Sequence, residues 1–350
     1  MKKNLKVSRD QNLLNKVVLI DGQAGCGKTL LTSLVSSFDR VEIFNYAPEI
    51  ENICILEHLN KITKDASETM VKIQMDLCLY ETMMSRRINF RYYDLSSAFS
   101  SGKFIEYFKR LFEKGDASIP QKLIDNKPIL NYAVHNLLSF SQPLFRALEK
   151  KFTIVEVVRH PLYMVIQNTI NHKNMKKKNG SARQFRVYLK NKEREFPYQF
   201  NSKEKIYREL NACEKSIYDI DFFTNRTEKF KLNLSSLQKK RILTIPFENF
   251  VLNPNSYLKS ITSLLKSKTT NKTLKLLKKH KVPRKKISDG ISLEVYKRYG
   301  WEPSIKGFSE RDELNKRRDF VIKQGVRKKY LDLLDKHSAE YEKKYLKGTI

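Results

Sequence analysis

The chain has no apolar stretch approaching the roughly 18 to 20 residues that span a bilayer, which excludes a helical membrane protein. Its four cysteines (Cys26, Cys54, Cys78 and Cys213) are few for 350 residues. None falls in a C-x-x-C pair or a metal-ligand spacing, so disulfide scaffolds and the common zinc modules are excluded. The opening residues, MKKNLKVSRDQNLLNK, are basic but lack an apolar segment and a small-residue cleavage site, so no secretory signal is expected. Reduced thiols and a cytoplasmic location are the matching expectation. There is no internal repeat and no low-complexity linker, which points to one domain over 1–350. Acidic residues are the scarce charge: 38 Asp and Glu against 68 Lys and Arg leave a net charge of +30. Much of this excess is lysine scattered with asparagine, as an AT-rich genome would produce. The functional reading is attraction to a polyanion such as nucleic acid, an acidic glycan, an anionic membrane face or a multiply phosphorylated cofactor. Helix-turn-helix, zinc and RNP patterns are missing, which argues against nucleic acid.

What is present begins at Lys16–Leu31, KVVLIDGQAGCGKTLL. A short apolar run meets Gly22-x-x-x-x-Gly27-Lys28-Thr29, and an apolar helical pattern follows. Strand, glycine turn and helix start in that order are the context of a phosphate-binding P-loop. Glycine permits positive φ and close approach of backbone to an anion. Amides of the turn and the positive end of the next helix then cradle phosphate oxygens. Lys28 would place a charge on the outer phosphate, and Thr29 would ligate a magnesium ion where one is used. Cys26 reads as a small residue that fits the tight turn.

Further along, Val41 to Asn45 reads as a second strand. A helix opens at Asp65 with Glu68 as capping partner, and Met70, Ile73, Leu77, Tyr80 and Met84 are expected on its core face. Arg86 to Tyr93 interleaves arginine with aromatics, as a packing edge or a substrate wall. Phe104 to Phe112 is helical. Pro128 to Val134 is a strand with His135 just beyond it. Leu144 to Leu148 is helical. Phe152 to Val158 is a buried strand followed by Arg159-His160-Pro161, and Pro161 starts a helix to about Asn171. The alternation predicts an α/β fold, a parallel sheet flanked by helices, with helical insertions and a helical C-terminus over 309–346. Residues 172–208 are polar and basic and read as an insertion or lid. Ile206 to Phe222 is expected as a helix and Ile242 to Ile245 as a last strand. Val326, Tyr330, Leu333, Leu334, His337 and Tyr341 share one helical face. Ligands bind beyond the carboxyl ends of such strands, where the P-loop, His135 and Arg159 all fall.

Three segments together resemble the sulfotransferase family, a P-loop branch that uses the sulfate donor PAPS. They are the strand and loop ending at Gly27, VEVVRHPLYMVIQN, and IPFENFVLNP. By that resemblance Gly25, Cys26, Gly27, Lys28 and Thr29 would cradle the 5′-phosphosulfate, and Arg159 would grip the 3′-phosphate, a task suited to a bidentate donor. Gln167 stands where the family usually has a serine, and Gly25 where it usually has a basic residue. The implied reaction is in-line transfer of a sulfuryl group to a hydroxyl of an acceptor, with no metal. The aromatic-basic segment near Arg91 and the basic insertion suggest a bulky or acidic acceptor such as a glycan or glycolipid. Lys28 would stabilise charge, and His135 would be the general base, with His160 second. Glu248 would brace the fold.

Lys28 directly after the last glycine is, however, the arrangement of nucleotide hydrolases. This keeps open a P-loop kinase or hydrolase using Mg-ATP, which usually carries an aspartate ending an apolar strand. Neither PILNYAV nor FTIVEVV ends in one; Asp21 is on the loop's own strand, Glu156 is mid-strand, and Asp94 lacks an apolar strand before it. A basic nucleic-acid-binding protein with a vestigial P-loop is the third reading.

Overall fold

The computed structural model describes residues 5–10, 13–175, 185–192, 194–291, 297, 300, 302–303 and 305–347. Five strands form one sheet: β1 (Lys16–Asp21), β2 (Asn45–Tyr46), β3 (Ile129–Ala133), β4 (Phe152–Val158) and β7 (Ile242–Pro246). The spatial order is β2-β3-β1-β4-β7, and every neighbouring pair is parallel. A sheet covered on both faces needs apolar residues at every position rather than at alternate ones. VVLI in β1 and TIVEVV in β4 meet that need. Val18, Ile20, Val155 and Val157 enter one core with the Lys28–Ser36 helix. Val17, Leu19, Leu130, Tyr132 and Ile154 enter the other with the Pro48–His58, Lys64–Met83 and Gln142–Leu148 helices. The α/β fold is therefore the expected one. β1 leads towards β2 at one edge while its neighbour β4 leads towards β7 at the other. The crevice of an open parallel sheet lies where strand order reverses in this way, here between β1 and β4.

Several local expectations differ. The second strand is not Val41–Asn45: Val41 makes only an isolated bridge to Ile129, and pairing begins at Asn45. The helix expected from Asp65 is capped by Thr63, whose hydroxyl accepts the Ala66 N–H, while Glu68 pairs with Arg146. Its core face is also rotated. Val71, Met75, Cys78, Leu79 and Met83 are buried, whereas Met70, Ile73 and Leu77 are exposed. Apolar residues lie on both sides of this helix, so spacing alone does not fix its phase. The helix expected over 206–222 is two: Glu204–Glu209 ends, and Asn211 with Glu214 forms a capping box that starts Ala212–Leu232.

Within the expected insertion 172–208, residues 176–184 and 193 lie outside the described residues. The Pro161–Met175 helix enters it, and β5 (Tyr188–Asn191) and β6 (Arg194–Pro197) form an antiparallel hairpin. Phe196, Tyr198 and Phe200 after it are buried, so this part is packed onto the body. The chain's last described helices, Glu310–Lys323 and Lys328–Tyr345, pack Tyr330, Leu334, His337 and Tyr341 inward. Among the described residues no helix is long and apolar enough to cross a membrane.

Candidate functional site

The glycine turn after β1 forms the lip of the crevice. Gly25 and Gly27 take φ of 85° and 90°, the left-handed region that side chains with a Cβ rarely adopt. At Gly27 space is the tighter limit, because a Cβ there would stand 2.2 Å from the Phe247 ring. The Lys28–Ser36 helix starts directly behind, with no side-chain cap. The first amides of a helix have no partner within it. Among the described residues nothing accepts the N–H of Gly27 or Thr29. An anion would satisfy both and meet the positive end of the helix.

Lys28 is buried and folds back over the turn, donating to the carbonyls of Gly22 (3.2 Å) and Gln23 (3.3 Å). Cys26 is fully buried, and burial raises its thiol pKa, which suits the filler role. Asp21 ends β1 as a buried carboxylate accepting the N–H of Leu137 (3.0 Å) and Leu138 (2.7 Å). Burial raises its pKa against those bonds. It ties the chain after β3 to the P-loop strand.

Arg159, just past β4, reaches the turn. Its Nη1 donates to the Gly25 carbonyl at 2.9 Å. The guanidinium lies between the rings of Tyr163 (4.6 Å) and Phe247 (4.5 Å). Its Nε is buried without a hydrogen-bond partner, 3.9 Å from Glu248 Oε1. Gln167, two turns into the helix from Pro161, also faces the loop: its Oε1 would be 3.4 Å from a Cβ on Gly25. Glu248 accepts the His160 N–H (3.0 Å) and the Tyr341 hydroxyl (2.6 Å) and is fully buried. His160 is buried, with Nε2 3.1 Å from Glu342. Burial lowers its pKa, against the Glu342 bond.

A cavity of about 300 Å³ opens where strand order reverses, lined by Asp21, Gly22 and Gln23 after β1 and by Glu156 to Arg159 of β4. Thr224, Thr227 and Glu228 of the Ala212–Leu232 helix wall it on one side. His337, Glu340, Tyr341 and Lys344 of the Lys328–Tyr345 helix wall it on the other. Glu156, the register partner of Asp21, is bonded to Lys231 and Thr244, each at 2.6 Å. Burial lowers the Lys231 pKa, but Glu156 outweighs it and holds the amine above its usual range. Glu228 sits between Lys231 (3.3 Å) and Lys344 (3.2 Å). Burial raises its pKa, but the two amines outweigh it and hold the carboxyl below its usual range. His337 is buried, with Nε2 2.8 Å from Asp221 and Nδ1 3.7 Å from Glu340. The His337 contact holds the Asp221 carboxyl low.

Of the residues expected at the site, the structure brings together Gly25, Cys26, Gly27, Lys28, Thr29, Arg159 and Gln167. His135 is not among those lining the cavity. It is half-exposed, bonded through N–H (2.8 Å) and Nδ1 (3.1 Å) to Glu51 and stacked on Tyr46. Its neighbour Asn136 lines the cavity instead. The cavity's own histidine, His337, was legible only as one residue of an apolar helical face.

No family model and no curated protein matches the chain. Among solved structures it is similar to the sulfotransferase domain of the Synechococcus PCC 7002 olefin synthase. Identity there is 10%, covering 91% of this chain and 98% of that one, with a TM-score of 0.40. It is also similar to the sulfotransferase domain from the curacin biosynthetic pathway (10%, 76% and 78%, TM-score 0.39). A third is the sulfotransferase STF9 from Mycobacterium avium (9%, 96% and 78%, TM-score 0.39). What this chain does has to be read from its own site.

Proposed function

We propose that this chain is a sulfotransferase that takes a sulfuryl group from PAPS to a hydroxyl of a small acceptor. The observation that carries the reading is the meeting of Arg159 with the glycine turn at Gly25, 2.9 Å apart, beside an uncapped helix start. Two cations, Lys28 and Arg159, and the spare N–H groups of Gly27 and Thr29 suit a ligand with more than one anionic group. PAPS would supply the activated sulfuryl group and a phosphate at each end of its ribose. The chain's residues hold that anionic end at the turn and stabilise charge as it shifts towards the leaving phosphate.

The cavity suits the acceptor rather than the donor. Asp21, Glu156 and Glu228 line it together with Arg159 and Lys344, a set with no excess of positive charge for a multiply charged anion. Its volume is at the small end of the range for ligand sites, so a small uncharged hydroxyl compound fits better than a bulky or acidic glycan. His337 is held by Asp221 through Nε2, and its Nδ1, 3.7 Å from Glu340 and outside hydrogen-bond reach of it, is the nitrogen that would take the hydroxyl proton. His135 stands apart from this cavity, so the base role passes to His337.

The Mg-ATP reading keeps one feature in its favour, Lys28 directly after Gly27. It needs a carboxylate free for the metal, and the two nearby carboxylates are engaged: Asp21, on the loop's own strand, by two amides, and Glu156, mid-way along β4, by Lys231 and Thr244. Thermal-shift measurements with PAP, PAPS and Mg-ATP separate the two. Ligand at a hundred times its Kd stabilises the native state by about 2.7 kcal/mol. The expected result is stabilisation by PAP without magnesium, with the ligand-induced shift lost in Arg159→Ala. Stabilisation by Mg-ATP alone would replace the sulfotransferase reading.

A further inference from the structure

Far along the chain from the crevice residues, the segment between the second and third strands turns apolar side chains outward. The Phe104–Arg110 helix is held to the body by one side only. Tyr107 is fully buried and its hydroxyl accepts the Ile43 N–H at 2.6 Å, and Arg110 grips Glu42 through both terminal nitrogens (2.9 and 3.1 Å). The opposite side is apolar and faces solvent: Ile105 is 68% exposed, Phe108 45%, Leu111 47% and Phe112 75%. The rings of this side continue into a ladder. Centroids run Phe112–Phe108 5.2 Å, Phe108–Phe104 5.5 Å, Phe104–Phe99 4.3 Å, Phe99–Tyr92 5.3 Å and Tyr92–Tyr93 5.2 Å. Tyr93 at its end is 94% exposed. Five of these rings are exposed and Phe104 is half-buried against the body; an exposed apolar row of this kind marks an interaction site.

We propose that this face docks on an anionic lipid bilayer, a role independent of the sulfuryl-transfer reading. Ile105 and Leu111 among the rings suit hydrocarbon, whereas stacking on bases or sugars would use flat side chains alone. Tyr92 and Tyr93 carry the polar tip favoured at a membrane–water boundary. Charge supplies the complement. The whole chain carries +30, and in this segment Arg86, Arg91, Lys109 and Lys114 are exposed. Arg91 and Arg86 flank the rings with side chains 85% and 61% exposed, each making only a long contact, with Asp94 (3.5 Å) and Asp116 (3.9 Å) respectively. Basic residues near an anionic leaflet each add attraction, and an apolar face set among them lies in the interface rather than across it. The same net charge opposes a second copy as the occupant, since two such faces would repel as they met.

The test is vesicle flotation of the full chain with phosphatidylcholine alone and with added phosphatidylglycerol. Wild type should float with the anionic vesicles and remain behind with neutral ones. Phe108→Ser/Phe112→Ser, both exposed, should keep the wild-type melting temperature and lose binding by at least about tenfold. Wild type that fails to float with anionic vesicles would overturn the proposal. So would equal binding by wild type and the double variant, which would assign it to diffuse charge. A concentration-dependent dimer in sedimentation velocity that the double variant abolishes would overturn it in favour of self-association.

Discussion

Replacing Gly27 by alanine probes the glycine turn after β1 most directly. At φ 90° an alanine pays for a left-handed backbone, roughly 1–2 kcal/mol. Its Cβ would also meet three atoms of the Phe247 ring at 2.2, 2.3 and 2.9 Å. The ring cannot step aside freely: it is buried, and its face lies 4.5 Å from the Arg159 guanidinium that bonds Gly25. Forcing such an overlap costs about 1–3 kcal/mol, so the total is on the order of 2–5 kcal/mol. Urea unfolding gives the stability, and PAP-induced thermal shift reports the loop. Gly325→Ala isolates the backbone part, since Gly325 also has positive φ (66°) but nothing within 4 Å of its Cβ position. Gly27→Ala/Phe247→Leu should be less destabilised than the two single changes added together, because the pair is in contact. If Gly27→Ala loses no more than Gly325→Ala, the ring does not confine the turn and the reasoning about the cradle is wrong.

In a coupled sulfuryl-transfer assay, His337→Gln should lower kcat by about 10²–10⁴-fold with little change in KM, while His135→Ala stays near wild type; the reverse pattern would return the base role to His135. Arg110→Met strands the buried Glu42 carboxylate and should cost about 3–5 kcal/mol in chemical denaturation, much of it recovered when Glu42→Gln is added. His280 is buried, and burial, with Lys279 and Arg284 nearby, lowers its pKa to about 4. The unfolded chain, with histidine near 6.5, therefore binds this proton first. Stability should fall as pH drops from about 6.5 to about 4, with His280 contributing on the order of 3 kcal/mol. Denaturation midpoints across that window should slope less steeply in His280→Asn; the rest of the slope comes in part from His58, whose pKa partial burial also lowers to about 4.

The crevice shows where sequence reading succeeds and where it stops. Gly22 to Thr29 was legible because a strand, a glycine turn and a helix start are each written in consecutive residues, and Arg159 because it follows directly on β4. Gln167 was singled out only by the family resemblance, as the residue standing where a serine is usual. The rotated face of the Lys64–Met83 helix was not legible: its apolar residues lie on both sides, and the Pro48–His58 and Gln142–Leu148 helices decide which side is covered. His135 was placed correctly after β3 but not in the cavity, because Glu51, from a helix of another segment, holds it away from the lining.

By itself the sequence determined the strands, the glycine turn after β1 and an arginine directly after β4, since each depends on backbone conformations that neighbouring residues impose. That the arginine meets the turn was decided by the packing of β4 beside β1. Tertiary structure alone decided what faces the turn across the crevice. Lys231, Glu228 and His337 come from two helices that begin at Ala212 and Lys328, 190 and 306 residues after Gly22 in the chain, and their placement depends on how buried faces pack. Packing is a property of complementary surfaces rather than of spacing, so the acidic, lysine-balanced cavity could be read only once those helices were laid against β1 and β4.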